Sequence, residues 1–463
     1  MNDPDFNVFN IFHSTIQPFN HATFHFLSVK LLSTKVSIGK SFMKNFNIVL
    51  FISLLLFSSQ LLLSQPKVKL GIDVLQERNF DLLKGKRVGL ITNPTGVDQN
   101  LKSTIDILFA SKECKLTALY GPEHGVRGDF SAGTEIDFYI DSKTNLPVYS
   151  IYGRTKKPTP GMLKDIDVLV FDIQNIGSRS YTFISTLGLA MEAAAENNIP
   201  FVVLDRPNPL GGIKVEGNLV EDGFYSFVSQ YKIPYVHGLT LGEFATMINE
   251  EGMLYKDSLR IETIKCNLTV IPMRGWKREM NFAATGLQWV PTSPHIPYKE
   301  TPEYYVATGI LGELGFISIG IGYTNPFQTF AAEWIDGELL AQKMNTLNLE
   351  GIIFRPITFK PFYGKHKDST LHGIQLHIKD YAKVNLMSLQ FLFLEVHNEM
   401  YPEKNPFTGC DTSRLTMFDK VCGTSKIREL FTKRMKYEDV QSYLMKDVDA
   451  FRKLSEKYYL YRE

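Results

Sequence analysis

Between residues 66 and 210 the chain alternates between two hydrophobic periods, and this alternation narrows the possible folds more than any other feature. Short apolar runs read as strands: RVGLITN (87–93), KLTALY (115–120), PVYSIY (147–152), DVLVFDI (167–173) and PFVVLD (200–205). Helical patterns lie between them, among them NLKSTIDILFASK (100–112) and TFISTLGLAMEAAAENN (182–198). Strands that are apolar on both faces must be covered on both, which predicts a mostly parallel sheet between layers of helices. The fold class read from this half is α/β, a Rossmann-like, doubly wound sheet over 66–230.

After about residue 230 the rhythm changes. A helix is expected at 239–252, then strand-like pieces at 259–264 and 268–273 and an aromatic, loop-rich stretch from Trp276 to Tyr305. Strands at 353–359 and 373–379 and helices near 386–400, 424–434 and 446–458 complete a smaller α+β auxiliary domain over 231–463. Without repeats or a low-complexity linker, the two halves are expected to pack tightly.

Lys+Arg 50 against Asp+Glu 49 leaves no basic stripe for nucleic acid and no acidic tail. From Met43, the run MKNFNIVLFISLLLFSSQLLLSQPKVKLG has the charged start, apolar centre and polar exit of a signal peptide over 43–65. Its apolar run is short for a membrane span, although an uncleaved anchor is the alternative; no stable membrane insertion is expected after cleavage. No Cys follows it to carry a lipid. Export, with the periplasm as destination, is the expectation, and residues 1–42 are read as preceding the true start at Met43. Cys114, Cys266, Cys410 and Cys422 are scattered, with no C-x-x-C. In a chain 44% hydrophobic they are read as free buried thiols rather than staples.

Ligands of open parallel sheets bind beyond the carboxyl ends of the strands. Here those ends read TNPTG (92–96), GPEHG (121–125), DIQNIGSRSY (172–181) and DRPNPLGG (205–212). Turn chemistry accounts for the Gly and Pro but not for amides, carboxylates, guanidinium groups and an imidazole at four strand ends together. No dinucleotide or phosphate-binding fingerprint and no G-x-S-x-G elbow occurs, so no cofactor is expected. His124, His237 and His295 are too far apart in sequence to argue a metal site. What remains suits a sugar: carboxylates for acid and base work, amides for hydroxyl groups, aromatic rings for the apolar ring face. Glu123 could act as an acid if burial raises its pKa, or could simply favour a helix N-terminus.

The blocks GPEHGVRG, DIQNIGSRSYTF, DRPNPLGG with VEGN, PYVHGLTLGEFA and GWKREMNFAATGLQWVPTSPHIP resemble those of the exo-β-N-acetylmuramidase family, in order from about Gly71 to the C-terminus. The resemblance implies a hydrolase releasing N-acetylmuramic acid from non-reducing ends of peptidoglycan fragments, including muropeptides. It also implies a Rossmann-like catalytic domain, an auxiliary domain and a cleft between them. The family's catalytic Glu falls on Glu123, with His124 to orient or tune it; Glu216 and Asp172 are the choices for a second carboxylate. For the lactyl carboxylate of the sugar, Arg179 and Arg206 are the expected partners and Arg127 the third, unless they brace loops by pairing with Asp172 or Asp205. Trp276, Trp289 and Tyr323 could stack on the ring or serve as packing. Asn93, Gln174, Tyr181, Asp205, Asn208, His237 and Ser293 complete the expected binding set. The chain departs from the family's usual wording at Asn175, at Thr292 and His295, and in GIGYTNPF (320–327). An exo-hexosaminidase of other specificity and a non-catalytic muropeptide- or sugar-binding protein are the alternatives; only the enzymes need an acid at Glu123.

Overall fold

The computed structural model describes residues 68–128, 137–257 and 259–462. The expected signal peptide and the segment 1–42 lie outside the described residues. Seven strands, β1 (Arg87–Thr92), β2 (Lys115–Gly121), β3 (Phe138–Ile140), β4 (Pro147–Ser150), β5 (Val168–Asp172), β6 (Phe201–Leu204) and β7 (Leu268–Ile271), form one sheet in the order β3-β4-β2-β1-β5-β6-β7. Every neighbouring pair is parallel except β3 with β4.

The two-sided apolar pattern has the expected consequence. All five side chains of β5 are buried, and they alternate between two cores. Val168 and Val170 face the core that holds Ile105 and Leu108 of the helix Thr104–Ala110. Leu169 and Phe171 face the core that holds Ile184 and Leu187 of the helix Phe183–Glu196. From β1 the strand order runs outward through β2 to β4, then restarts on the other side of β1 with β5, β6 and β7. The connections leaving β1 and β5 therefore diverge, which is where such sheets leave room above their carboxyl ends.

Three further strands, β8 (Thr329–Ala332), β9 (Ile352–Phe359) and β10 (Leu371–Ile378), form an antiparallel sheet in the order β8-β10-β9. Its core is shared with the helices Thr301–Gly312 and Leu386–Met400.

Several elements differ from the sequence reading. The strand expected in the second domain at 268–273 is β7, paired with β6 at the edge of the first sheet. Residues 259–264 form no strand; a single bridge joins Tyr255 to Thr263. The aromatic stretch gives way at Thr301 to a helix that is buried nearly all round and so shows no amphipathic stripe. After the helix Val448–Ser455 the chain returns to the first sheet, where the Tyr461 hydroxyl donates to Asp205 Oδ2 at 2.6 Å. All four cysteines are free; Cys266 and Cys422 are buried, while Cys114 and Cys410 are partly exposed.

Candidate active site

The strand β2 ends in a tight turn: Gly125 N–H donates to the Pro122 carbonyl at 3.1 Å. His124 occupies the third position of that turn with φ 74°, the left-handed region. A residue with a Cβ costs about 1–2 kcal/mol there, a cost that Gly would avoid. Strained non-glycine residues of this kind concentrate at functional sites. The turn presents Glu123 and His124 to a cavity of about 220 Å³.

The rest of the cavity wall comes from distant parts of the chain. Ser180, Tyr181, Thr182 and Phe183 follow β5, where the loop runs into the helix Phe183–Glu196. Ser293, Pro294, His295 and Ile296 come from the loop before the helix Thr301–Gly312, which itself supplies Tyr305; Phe327 precedes β8. Hydrogen bonds hold these groups in place. The Tyr181 hydroxyl donates to Thr292 Oγ1 at 2.7 Å, and Ser180 Oγ lies 3.0 Å from the hydroxyls of both Tyr235 and Tyr305. His295 Nε2 is 2.8 Å from the Tyr363 hydroxyl, with the two rings stacked.

The electrostatics tie the wall together. Burial raises the Tyr181 pKa, and the nearby charge of Glu123 adds to the rise, so the phenol stays protonated as a donor. Burial lowers the pKa of His295, and His124 lowers it further. Among the described lining residues Glu123 is the one carboxylate, and there is no Lys or Arg. Such a wall can donate a proton from Glu123, bind hydroxyl and amide groups, and pack against a sugar face.

Of the expected site residues, the structure brings Glu123, His124, Tyr181 and Ser293 to this cavity. Asp172 lies elsewhere, fully buried. It accepts Arg206 Nε at 2.5 Å, Arg206 Nη2 at 2.9 Å and Thr104 Oγ1 at 2.5 Å. Arg206 is thereby used up as a loop brace, its Nη2 also donating to the Val97 carbonyl at 2.7 Å. Arg179, fully buried, donates to four carbonyls: Asn218 and Ile233 at 2.7 Å, Val421 and Cys422 at 2.9 Å. It pins the C-terminal end of the helix Thr412–Cys422, where a cation is favourable, although burial pushes its pKa down to about 10. Arg127 pairs with Asp141, Nη2 to Oδ2 at 3.0 Å. None of the three expected carboxylate partners lines the cavity.

Glu216 is buried and accepts the Met387 N–H at 2.9 Å, at the N-terminus of the helix Leu386–Met400. Asp205 caps the helix Leu241–Glu250, accepting Thr240 Oγ1 at 2.7 Å and Gly242 N–H at 2.8 Å; burial raises its pKa to about 6. Asn93 accepts Thr95 N–H at 3.0 Å, Gln174 donates to the Pro207 carbonyl at 2.8 Å and Asn208 to the Leu239 carbonyl at 3.0 Å. His237 Nε2 and Asn175 Nδ2 have no hydrogen-bond partner among the described residues, and both residues line a void of about 10 Å³. Trp276 packs edge-on against Tyr461 in the core, and Tyr323 stacks on Phe359 at 4.6 Å. Trp289 donates Nε1 to the Ile296 carbonyl at 3.1 Å, so it braces the cavity loop from behind.

Sequence reasoning missed His295, Ser180 and Thr182 as site residues, although all three lie in the SRSYTF and TSPHIP strings it had singled out. Tyr305 and Phe327 fall at the ends of two stretches the sequence marks, Trp276 to Tyr305 and GIGYTNPF, but one lies in an all-round buried helix and the other outside the strand-end pattern, so neither reads as a site residue.

A family model for the N-terminal domain of the exo-β-N-acetylmuramidase NamZ matches residues 88–300, and one for its C-terminal domain matches 303–461. The protein is a glycoside hydrolase. It belongs to the exo-β-N-acetylmuramidase NamZ family, whose two domain models meet downstream of β7. The peptidoglycan β-N-acetylmuramidase NamZ of Bacillus subtilis (strain 168) is 44% identical over 397 residues, 86% of this chain and 92% of that protein. The crystal structure of a DUF1343 family protein from Bacteroides fragilis NCTC 9343 superposes with a TM-score of 0.81 at 57% identity, covering 86% of this chain and 99% of that one. A second DUF1343 protein of the same organism gives 0.65 at 25% identity, with the same 86% and 99% coverage.

Proposed function

We propose that the protein releases N-acetylmuramic acid from the non-reducing ends of peptidoglycan fragments, with Glu123 protonating the leaving sugar oxygen. One observation carries this reading. In a chain 44% identical to a peptidoglycan β-N-acetylmuramidase, a turn that Gly would relax instead holds Glu123 and His124 on the wall of a cavity. At about 220 Å³ the cavity is smaller than sites for drug-sized ligands and suits one terminal ring, in keeping with exo action.

The fold supports the same reading. Taken without β3, the parallel strands follow the order of a Rossmann-like doubly wound sheet, and the cavity walls come from both family domains, as a cleft between them requires. The leader-like stretch at 43–65 supports export, and an exo-enzyme is useful in the periplasm, where wall fragments are recovered.

The test is turnover of para-nitrophenyl N-acetylmuramide beside the matching N-acetylglucosaminide. Release from the muramide alone is expected. Release from neither, with tight binding of a muropeptide, would replace the hydrolase reading with a binding protein.

A further inference from the structure

An N-acetylmuramic acid ring differs from N-acetylglucosamine by a lactyl ether that carries a carboxylate, so a positive group against that carboxylate would select between them. The three arginines that could supply one are spent on Asp172, on Asp141 and on backbone carbonyls. The nitrogen bases on the described cavity wall are two imidazoles, His124 and His295.

Their surroundings differ. His124 sits in the strained turn beside Glu123, whose proton-donating role it would serve. His295 stands on the opposite segment, with Nε2 held by the Tyr363 hydroxyl at 2.8 Å and Nδ1 making no hydrogen bond among the described residues. Tyr363 is itself positioned through Gly322, at φ 90°: a Cβ there would come within 2.2 Å of the Tyr363 carbonyl oxygen, and the Gly322 carbonyl accepts the Phe362 N–H at 2.6 Å. Thus Gly322 fixes the backbone of Tyr363, and the Tyr363 hydroxyl in turn holds the His295 imidazole.

We propose that His295, gaining a proton as the sugar binds, is the specificity residue that recognises the lactyl carboxylate. The inference rests on the muramidase reading above. Among the described residues, the titratable groups around His295 are His124 and Glu123 from the β2 turn, Tyr181 from the β5 loop, Tyr305 from the helix Thr301–Gly312 and Tyr363 from the β9–β10 connection. Burial and His124 lower the pKa of His295 in the unliganded protein, so it starts neutral. A carboxylate against the ring favours the cation and raises that pKa, so binding takes up a proton and weakens as pH rises.

The test is calorimetric titration of the purified protein with N-acetylmuramic acid and with N-acetylglucosamine, in buffers of different ionisation enthalpy at pH 7.5. Proton uptake is expected for the first sugar and none for the second. His295→Gln should abolish the uptake and weaken N-acetylmuramic acid about tenfold, the worth of one charge-assisted hydrogen bond, without changing N-acetylglucosamine binding. Glu123→Gln should retain the uptake, which separates His295 from the neighbouring carboxylate. Selective binding without uptake, or uptake that survives in His295→Gln, would overturn this proposal alone. Equal binding of the two sugars, together with no turnover of the muramide, would overturn the muramidase reading as well.

Discussion

Replacing Asp172 by Asn separates a structural carboxylate from a catalytic one. The side chain has no exposed surface and accepts two hydrogen bonds from Arg206, which is itself only 4% exposed, and one from Thr104. The substitution removes the negative charge but keeps the shape, leaving the guanidinium buried and uncompensated. Breaking one side of a buried pair costs about 3–5 kcal/mol. At an unfolding entropy of about 2.1 cal/mol/K per residue, a compact unit from Pro66 to Glu463 loses about 1.2 °C per kcal/mol. Calorimetry should therefore show Tm lowered by about 4–6 °C. Replacing Asp172 and Arg206 together by Leu and Met should restore part of the loss, because no charge is then stranded. Activity per folded molecule should hold to within a few-fold. A variant with native Tm and turnover lost by a thousandfold or more would refute the reasoning and return Asp172 to the chemistry.

Three further outcomes follow from the same geometry. His124→Gly removes the imidazole from the cavity wall at a position, φ 74°, that glycine adopts without strain, so turnover should be lost while the protein still folds by urea denaturation; native turnover in the folded variant would take His124 out of the site. Arg179→Met strands four backbone carbonyls and should cost at least about 3 kcal/mol, leaving the KM for the muramide unchanged in the folded protein; native stability with a raised KM would instead make Arg179 a ligand of the substrate. Burial, with Glu300 second, raises the pKa of Glu303 to about 7, so the folded state holds its proton more tightly than the unfolded one. That stability, about 3 kcal/mol, is fully present below pH about 4.5 and is lost as pH rises through about 7. Glu303→Gln should remove this slope from a plot of urea midpoint against pH, and an unchanged slope would assign it to other groups.

The central strands were legible because β1, β5 and β6 bury both faces, a pattern that little else produces. The place of β7 in the first sheet was not legible because its burial is partial, as suits an edge strand, and it reads like any half-exposed strand. The site was legible only in part, for a related reason. The carboxyl ends of buried strands need polar side chains simply to satisfy backbone groups, and Asp205, Asn208, Gln174 and Asn93 are spent that way. Residue type at a strand end therefore does not say whether a side chain turns inward to brace a loop or outward to meet a ligand. The Glu123-His124 pair stood apart because a plain turn between two glycines needs neither a carboxylate nor an imidazole. His295 could not be found by type alone, because its role depends on Tyr363, 68 residues further along the chain.

The claim that Glu123 is the acid is tested most directly by comparing two substrates in Glu123→Gln. One is the disaccharide of N-acetylmuramic acid linked to N-acetylglucosamine, whose leaving oxygen needs a proton. The other is dinitrophenyl N-acetylmuramide, whose leaving group departs without one. General acid catalysis contributes about 10²–10⁴-fold. The account predicts a loss of that size in kcat on the disaccharide and a much smaller loss on the dinitrophenyl sugar. Equal losses on both substrates, or full activity on the disaccharide, would contradict it.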